Sequence, residues 1–173
     1  MPTLIKQRRI ATDNWRLLEP GRDRQPPEIP AEGDVIVPLA LWQARREDLL
    51  ARPHRLGVRL ESGDRVEMLA GDLAQLALVA VHFQKFADGR GFSTARLLRE
   101  RYSYAGEVRA IGEFLPDQLP LMERCGFDAF VLYDGQDPEE ALRAFDEFSE
   151  AYQASVEQPV PLFRRRTLTG TTS

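Results

Sequence analysis

Cysteine is nearly absent from this 173-residue sequence, in which Cys125 is the only one. A single thiol excludes an intramolecular disulfide, CxxC redox chemistry and a cysteine-ligated zinc or iron–sulfur centre held by this chain alone. Histidine is almost as scarce, and the two histidines, His54 and His82, lie far apart in the sequence. A histidine metal site would need carboxylate partners that no spacing indicates, so we expect no metal site.

The sequence also lacks a long apolar run and an excess of positive charge. No stretch is apolar enough to cross a bilayer, and the basic start has no apolar run after it. Lysine and arginine total 23 against 27 acidic residues, so the net charge is -4 and disfavours a nucleic-acid binder. We therefore expect a cytoplasmic protein with neither a membrane nor a nucleic acid as its partner.

Short apolar runs alternate with helical patterns from Asp34 onward. Most of these runs are apolar throughout, as expected when both faces of a parallel sheet are covered. The pattern predicts an α/β fold with an open parallel sheet of about five βα units, helices on both faces and a flavodoxin-like strand order. A partial (β/α) barrel is the alternative. The predicted strands are Val35 to Val37, Val58 to Leu60, Leu78 to Phe83, Val108 to Ile111 and Ala129 to Tyr133.

Three regions are predicted along the chain. Residues 1–33 contain a β-hairpin that turns around Asp13 and Asn14 and decorates the sheet edge, followed by a loop rich in proline and glycine. Residues 34–155 form the α/β domain. Residues 156–173 form a flexible tail that carries Arg164 to Arg166, three consecutive arginines that either grip an acidic partner or are simply solvated.

Capping signals predict where several helices begin and end. Asp137 and Glu140 form a D-x-x-E pattern before a stripe of apolar residues, and Ser93 is the predicted N-cap of the helix that follows the third strand. A helix over Trp42 and Leu49 precedes Pro53. Further helices and turns are predicted between Leu115 and Gly126, where Pro116 and Pro120 fall, and between Val66 and Leu76, which reads as a loop with at most one helical turn.

The connection after the third strand has an unusual composition. Gly89 and Gly91 allow backbone conformations closed to other residues and close approach of the backbone to a ligand. The helix N-terminus that follows favours negative charge, and Arg96 in its predicted first turn needs an anion or carboxylate beside it. These features predict a site for a small anion at the carboxyl edge of the sheet. The predicted ligand-binding residues are Lys85, Asp88, Gly89, Arg90, Gly91, Ser93 and Arg96.

A simpler interpretation of the same connection remains open. Asp88 to Gly91 can form a tight turn with an Asp–Arg surface pair, and G-x-G alone lacks the third glycine of a dinucleotide fingerprint.

Acid/base chemistry is a second possibility at the same edge. Glu61, Glu113 and Asp134 follow three predicted strands, and Lys85 follows another. Lys85 and Glu113 are the candidate catalytic residues. Cys125, near a helix end, is expected to be a buried small hydrophobe, and His82, inside an apolar strand, a core histidine with a satisfied ring.

The stretch from Lys85 to Phe130, KFADGRGFSTARLLRERYSYAGEVRAIGEFLPDQLPLMERCGFDAF, resembles the bacterial family known as domain of unknown function 934. Its pattern includes Lys85, Asp88, Gly89, Arg90, Ser93 and Arg96. In this chain Glu113 stands where aspartate is more usual, and Pro116 and Pro120 are unusual. Family members are often labelled probable oxidoreductases of sulfite reduction.

The resemblance implies an accessory protein of sulfite reduction and sulfur assimilation, with the haemoprotein subunit of sulfite reductase as a possible partner. No motif for flavin, siroheme or an iron–sulfur cluster is present, so the cofactor is unknown. Two other hypotheses remain. The chain is either a small lyase, isomerase or transferase that acts on a phosphorylated or carboxylated metabolite, or an interaction module that grips an acidic partner through Arg96, Arg99 and Arg101.

A stability screen tests the predicted loop site. We expect sulfite, sulfate, phosphate, a flavin or a nicotinamide nucleotide to raise the thermal stability of the wild type, by about 2.7 kcal/mol at a hundred times its dissociation constant. The variant Arg90→Ala should lose that gain. If no compound stabilises the wild type while the reductase subunit co-purifies with it, the interaction hypothesis is favoured instead.

Overall fold

The computed structural model describes residues 2–85 and 88–147, and this part of the chain contains eight strands and four α-helices. The strands are β1 (Thr3–Lys6), β2 (Arg9–Ala11), β3 (Arg16–Leu17), β4 (Val35–Pro38), β5 (Leu56–Leu60), β6 (Leu78–Phe83), β7 (Glu107–Gly112) and β8 (Ala129–Leu132). The helices are α1 (Leu39–Leu50), α2 (Arg90–Arg96), α3 (Leu119–Cys125) and α4 (Pro138–Glu147). No helix in these ranges is long and apolar enough to span a membrane.

All eight strands belong to one curled, open sheet with the order β2-β1-β8-β7-β6-β5-β4-β3. The strands from β3 to β8 are parallel neighbours in sequence order, and β1 adds antiparallel to β8. Each crossover therefore steps in the same direction, and right-handed crossovers of that kind place every helix on the same face of the sheet. The result is a half-barrel with helices outside and an inner, concave face.

The buried side chains divide in the way that this one-sided arrangement requires. The larger cluster joins one set of alternate strand residues, such as Val79, Val81 and Phe83, to helix residues such as Trp42 and Leu98. A separate, smaller cluster contains strand residues of the opposite face and no helix residue. Its members are Ile36, Leu78, Ala80 and Ile111, with Trp15 and Val131 packed against them.

These findings bear differently on the two predicted architectures. The α/β class is confirmed, and each predicted strand is found within two residues of its predicted ends. The flavodoxin-like order is not confirmed, and the helices of the described residues lie on one face of the sheet and not on both, because β3 to β8 are neighbours in sequence order. The alternative, a partial barrel, fits the observed sheet.

The N-terminal hairpin is present, but its predicted turn is wrong. β1 and β2 are joined through Gln7 and Arg8, which both have positive φ angles, as a two-residue hairpin turn requires. Asp13 and Asn14 lie instead between β2 and β3, which are the two edges of the sheet. The hairpin extends the edge of the sheet, as predicted for its position, because β1 pairs with β8 and β2 is the outermost strand.

That short connection requires the sheet to curl. From Ala11 to Arg16 the chain spans at most about 18 Å, because an extended residue advances about 3.6 Å at most. Eight flat strands would separate their two edges by about 34 Å at the usual spacing between strands. The connection, residues 12–15, therefore bridges the two edges of the half-barrel.

The helix boundaries give one confirmation and one correction. Asp137 accepts a hydrogen bond from the Glu139 amide at 2.9 Å, as expected for the cap of α4. Ser93 is not an N-cap, because α2 begins at Arg90 and Asp88 accepts the Arg90 amide at 3.1 Å. Arg96 thus lies in the last turn of α2, which continues as one π-helical turn, Leu97–Arg101.

Most of the other predicted segments agree with the structure, but the segment from Val66 to Leu76 contains two short helical turns where at most one is predicted. α1 ends at Leu50, three residues before Pro53. A 3-10 turn at Pro116–Gln118 precedes α3, which ends at Gly126, and two further 3-10 turns occupy Val66–Leu69 and Leu73–Gln75. The predicted tail 156–173, with Arg164 to Arg166, lies outside the described residues.

A buried ionic network occupies part of the concave face. The Arg109 guanidinium is only 2% exposed and binds both Asp13 oxygens at 3.0 Å and Glu107 Oε1 at 2.7 Å. Lys6 reaches the other Glu107 oxygen at 2.6 Å. Because Asp13 belongs to the 12–15 connection, this network attaches that connection to the middle of the sheet.

Replacing Arg109 tests how much this network stabilises the fold. Arg109→Met keeps a long apolar stem but leaves Glu107 and Asp13 without their shared cation, and breaking a buried pair in this way costs about 3–5 kcal/mol. Urea unfolding should report that loss. The control Arg65→Met removes an exposed pair with Glu67 and should cost less than about 1 kcal/mol. Equal losses in the two variants would contradict a structural role for the network.

Candidate functional site

A cleft of about 640 Å³ opens on the concave face at the carboxyl ends of the parallel strands. Ligands commonly bind at this end of α/β sheets and barrels. The cleft is mostly apolar, with a few polar groups that converge on it, which is the usual character of a small-molecule site. Its apolar and aromatic lining includes Trp15, Leu17, Ile36, Ile111, Val131 and Tyr133, and its polar lining includes Arg59, His82, Glu113 and Asp134.

The strand register brings Glu61 and His82 together at this cleft. Leu60 pairs with Val81, so the next residue of each chain segment, Glu61 and His82, lies at the same level. His82 Nδ1 is 2.6 Å from Glu61 Oε2, and Gln84 Nε2 is 3.4 Å from the same oxygen. A carboxylate only accepts hydrogen bonds, so this contact holds a proton on Nδ1 and turns Nε2 away from Glu61.

Glu61 is held in its ionised form by the groups around it. Burial acts to raise the pKa of the carboxyl, but the hydrogen bond and charge of His82, with the charge of Arg59, outweigh burial and lower that pKa. Arg59 Nε lies 2.8 Å from Glu61 Oε1, on the other side of the carboxylate from His82. Arg59, Glu61 and His82 therefore form a continuous chain across β5 and β6.

Gly112 gives the His82 ring the space it occupies. Its φ angle is +94°, and an added Cβ would overlap the Phe83 carbonyl oxygen and lie within 3.0 Å of His82 Nε2. Only glycine fits this backbone conformation and this close approach without strain. The end of β7 thus lies directly beside the Nε2 edge of the imidazole.

His82 is the residue that the sequence interpretation assigned wrongly. It is not a core histidine, because its side chain is 31% exposed and lines the cleft. The relevant signal was the alternation along β6, where Leu78, Ala80 and His82 share the face opposite to Val79, Val81 and Phe83. That signal identifies a cleft residue only once the described helices are known to lie on the other face of the sheet.

The strand-end acidic residues predicted for acid/base chemistry do gather at this edge. Glu113 and Asp134 both line the cleft and are exposed, while Glu61 lies behind His82. Lys85 is exposed two residues beyond the end of β6. A proton-transfer role for Lys85 or Glu113 stays a prediction.

The glycines of the predicted anion loop have ordinary structural roles. Gly89 has a φ angle of −75°, which any residue adopts, and Gly91 lies inside α2. An added Cβ at Gly91 would overlap the Phe83 ring, so this glycine permits close packing of α2 on β6. The prediction that both glycines supply special backbone conformations is therefore wrong.

Asp88, Arg90 and Arg96 of the same loop are paired within the protein, and Arg96 lies away from the other two. Asp88 Oδ1 and Oδ2 each lie 3.1 Å from an Arg90 nitrogen, and these hydrogen bonds, with one from Ser62, hold the pKa of Asp88 well below its usual range. Arg96, at the other end of α2, is 3.4 Å from Glu100. Phe86 and Ala87 lie outside the described residues, and an anion site over residues 85–96 stays a prediction.

Cys125 and Arg99, two further residues considered from the sequence, both have structural roles. The Cys125 side chain is buried, which raises the pKa of its thiol and agrees with a small hydrophobe. Arg99 donates hydrogen bonds to the carbonyl oxygens of Tyr104, Gly106 and Gly126 at 2.7, 2.7 and 3.0 Å. Arg99 therefore fixes the chain between α2 and β7, and its guanidinium is unsuited to grip a partner.

Replacing Glu61 tests the ionised state inferred for it. A lowered folded-state pKa stabilises the protein fully above the ordinary value of 4.5, and this contribution disappears as the pH falls through the folded pKa. We therefore expect Glu61→Gln to be less stable than wild type at pH 6, with the difference shrinking from pH 4.5 to pH 3. Urea unfolding across this range measures it, with the exposed Glu67→Gln as the control. A constant difference would contradict the lowered pKa.

Comparison with known proteins assigns the chain to a family but gives no named activity. No group of three or more histidine, cysteine or acidic side chains suited to a metal occurs within residues 2–85 and 88–147. No curated protein matches the sequence. The model of a family described as "Bacterial protein of unknown function (DUF934)" matches residues 57–163, which include Arg59, Glu61, His82 and Gly112. Because the match covers more than half of the chain, the protein belongs to the DUF934 family.

Proposed function

We propose that this protein binds a small organic molecule in the strand-end cleft and that His82 gives or takes a proton at the polar end of that molecule. The observation that carries this proposal is the 2.6 Å contact between His82 Nδ1 and Glu61 inside a mostly apolar cleft. Histidine is the side chain best suited to proton transfer near neutral pH, and a carboxylate behind the ring is the usual means of orienting it.

The arrangement defines which nitrogen of His82 exchanges a proton with the ligand. With its Nδ1 proton held by Glu61, a neutral His82 presents the Nε2 lone pair as a base, and a protonated His82 presents an Nε2 proton as an acid. Arg59 and Gln84 hold Glu61 from its other sides, so the ring has little freedom to turn. Such preorganisation lowers the barrier because the groups need not reorganise during the reaction.

The cleft suits a ligand with an apolar body. Its volume of about 640 Å³ is that of a site for a metabolite, and side chains such as Trp15, Ile111 and Val131 offer it apolar contact. A ligand that contacts these side chains displaces water from around His82, and the loss of water strengthens the electrostatic interactions there. This environment favours a small lyase, isomerase or transferase among the enzyme classes considered from the sequence.

A role in sulfite reduction is the second candidate, and it rests on the resemblance of the sequence. In that setting the protein would be an accessory factor that meets the haemoprotein subunit of sulfite reductase. The observation that favours it is the presence of two exposed cations, Lys85 and Arg90, just beyond β6. Exposed positive charge of this kind attracts an acidic partner or a small anion.

Fluorescence of Trp15 tests the proposed binding site. We expect at least one member of a panel of small carboxylic acids, amides and sulfite to protect Trp15 from acrylamide quenching. The variant His82→Asn should weaken that protection, because the ligand's polar end loses its partner, whereas Arg90→Ala should retain it. In the control Trp15→Phe only Trp42 remains, which is 1% exposed and should not respond.

The same measurements separate the two candidate functions. If no compound changes Trp15 quenching in the wild type, binding in the cleft is contradicted. If the reductase subunit then binds the wild type and Arg90→Ala weakens that binding, the accessory role is favoured.

A further inference from the structure

We propose that Arg59 and His82 together bind the head group of a monoanionic ligand, such as a carboxylate or a sulfonate, whose apolar body lies in the cleft. This inference rests on the proposed binding function and adds the chemical class of the ligand to it. It also assigns to Arg59 a direct role in binding that the sequence did not indicate.

Arg59 is a buried cation whose hydrogen bonds are incomplete. Its side chain is only 13% exposed, and its Nε is buried without an aligned hydrogen bond to any described residue, although Glu61 Oε1 lies 2.8 Å away as an ion pair. Its Nη1 reaches Glu19 at 3.4 Å, and that carboxylate is 68% exposed. Glu61 occupies the Nε side of the guanidinium, so a ligand able to accept hydrogen bonds would pair with the terminal nitrogens, which have only this long contact among the described residues.

Glu61 contacts only one edge of the Arg59 guanidinium and one edge of the His82 imidazole. It contacts Arg59 through Nε and His82 through Nδ1, so the terminal guanidinium nitrogens of Arg59 and the Nε2 of His82 are not used by it. Arg59 and His82 both line the cleft, whereas Glu61 does not. A carboxylate or sulfonate placed between them accepts from the guanidinium on one side and from a protonated imidazole on the other.

The other arginine of the cleft is not available for this role. Arg109 is already paired with two carboxylates, Asp13 and Glu107, which leave it no net positive charge to attract an anion. The exposed Glu113 and Asp134 add negative charge at the rim. This balance favours a single negative charge at Arg59 over the two charges of a phosphate ester.

The predicted loop site compares poorly with Arg59 as an anion site. Arg90 is 67% exposed and already has hydrogen bonds to Asp88, so water screens any anion there and the internal carboxylate competes with it. The same anion gains more at Arg59, because the guanidinium is removed from water and its donors are incompletely used.

Three probes of one shape test the head-group subsite. We use 3-phenylpropionate, 3-phenylpropanamide and 3-phenylpropylamine, which share the apolar body and differ in charge. Dissociation constants are measured on the full chain by NMR, from the Gly112 amide and the Trp15 indole. We expect the carboxylate to bind at least about 10-fold more tightly than the amide, because only the carboxylate brings a charge that the guanidinium can pair with.

Variants assign the preference to a residue. Arg59→Met should remove the preference for the carboxylate, Arg59→Lys should retain part of it because the charge remains, and Arg90→Ala should leave it unchanged. The far-ultraviolet circular dichroism of each variant checks that it is folded. If Arg59→Met fails to fold, the comparison of Arg59→Lys with Arg90→Ala still decides between the cleft and the loop.

The possible results distinguish failure of the anion subsite from failure of the proposed small-molecule binding. Equal binding of all three probes at the cleft overturns the anion subsite and leaves small-molecule binding intact. A preference lost in Arg90→Ala but kept in Arg59→Lys and Arg59→Met assigns the anion to the loop and also overturns the subsite. If none of the three probes shifts these signals, the anion subsite is overturned, and the proposed binding function is contradicted as well only if the panel followed by Trp15 quenching also fails.

Discussion

The order of the parallel strands is the constraint on which the rest of the structure depends. Since β3 to β8 follow one another as neighbours, every crossover steps in the same direction and all the helices lie on one face of the sheet. The opposite face must then be covered by its own side chains and by the chain between β2 and β3. Both the ionic network around Arg109 and the cleft beside His82 exist because no helix within residues 2–85 and 88–147 covers that face.

The concave face therefore carries two layers of charged side chains, which differ in how completely their charges and hydrogen bonds are paired. In the layer around Arg109, Asp13 and Glu107 form ion pairs with the guanidinium, and Lys6 pairs with the second oxygen of Glu107. Each of these four charged side chains therefore has an oppositely charged partner. In the layer nearer the strand ends, Arg59 has one close carboxylate, which it shares with His82. A saturated layer stabilises the fold, whereas an incompletely bonded one is suited to accept a ligand.

Much of the fold could be predicted from the sequence, but the order of the strands, and with it which face of the sheet the helices cover, could not. Apolar runs such as Leu78 to Phe83 identify strands and their ends because burial on the helix side is strong and local. Sheet order depends on contacts between distant residues, and nothing in the strands themselves distinguishes a flavodoxin-like order from a sequential one. The turn at Gln7 and Arg8 was missed because neither residue is a usual choice for a positive φ angle.

The site was predictable in location and less so in its members. Position at the carboxyl ends of strands follows from the βα pattern alone, which is why Glu61, Glu113 and Asp134 were expected at this edge. The importance of His82 and Arg59 depends on the facing direction of β5 and β6, since each residue alternates with buried apolar neighbours. A polar residue inside an apolar run can satisfy a core or line a cleft, and only the sheet topology separates these two cases.

The placement of these side chains on strands has a consequence for the chemistry. Arg59 and His82 lie within β5 and β6, Glu61 directly follows β5, and the register of the two strands fixes their spacing. Groups held in this way keep a reacting geometry without the entropy loss that ordering a loop would add. Gly112 extends the same rigidity to the far side of the imidazole, where the chain approaches the ring closely. The Nε2 atom is therefore positioned before any ligand arrives, and selectivity depends mainly on which head group can complete the hydrogen bonds of Arg59.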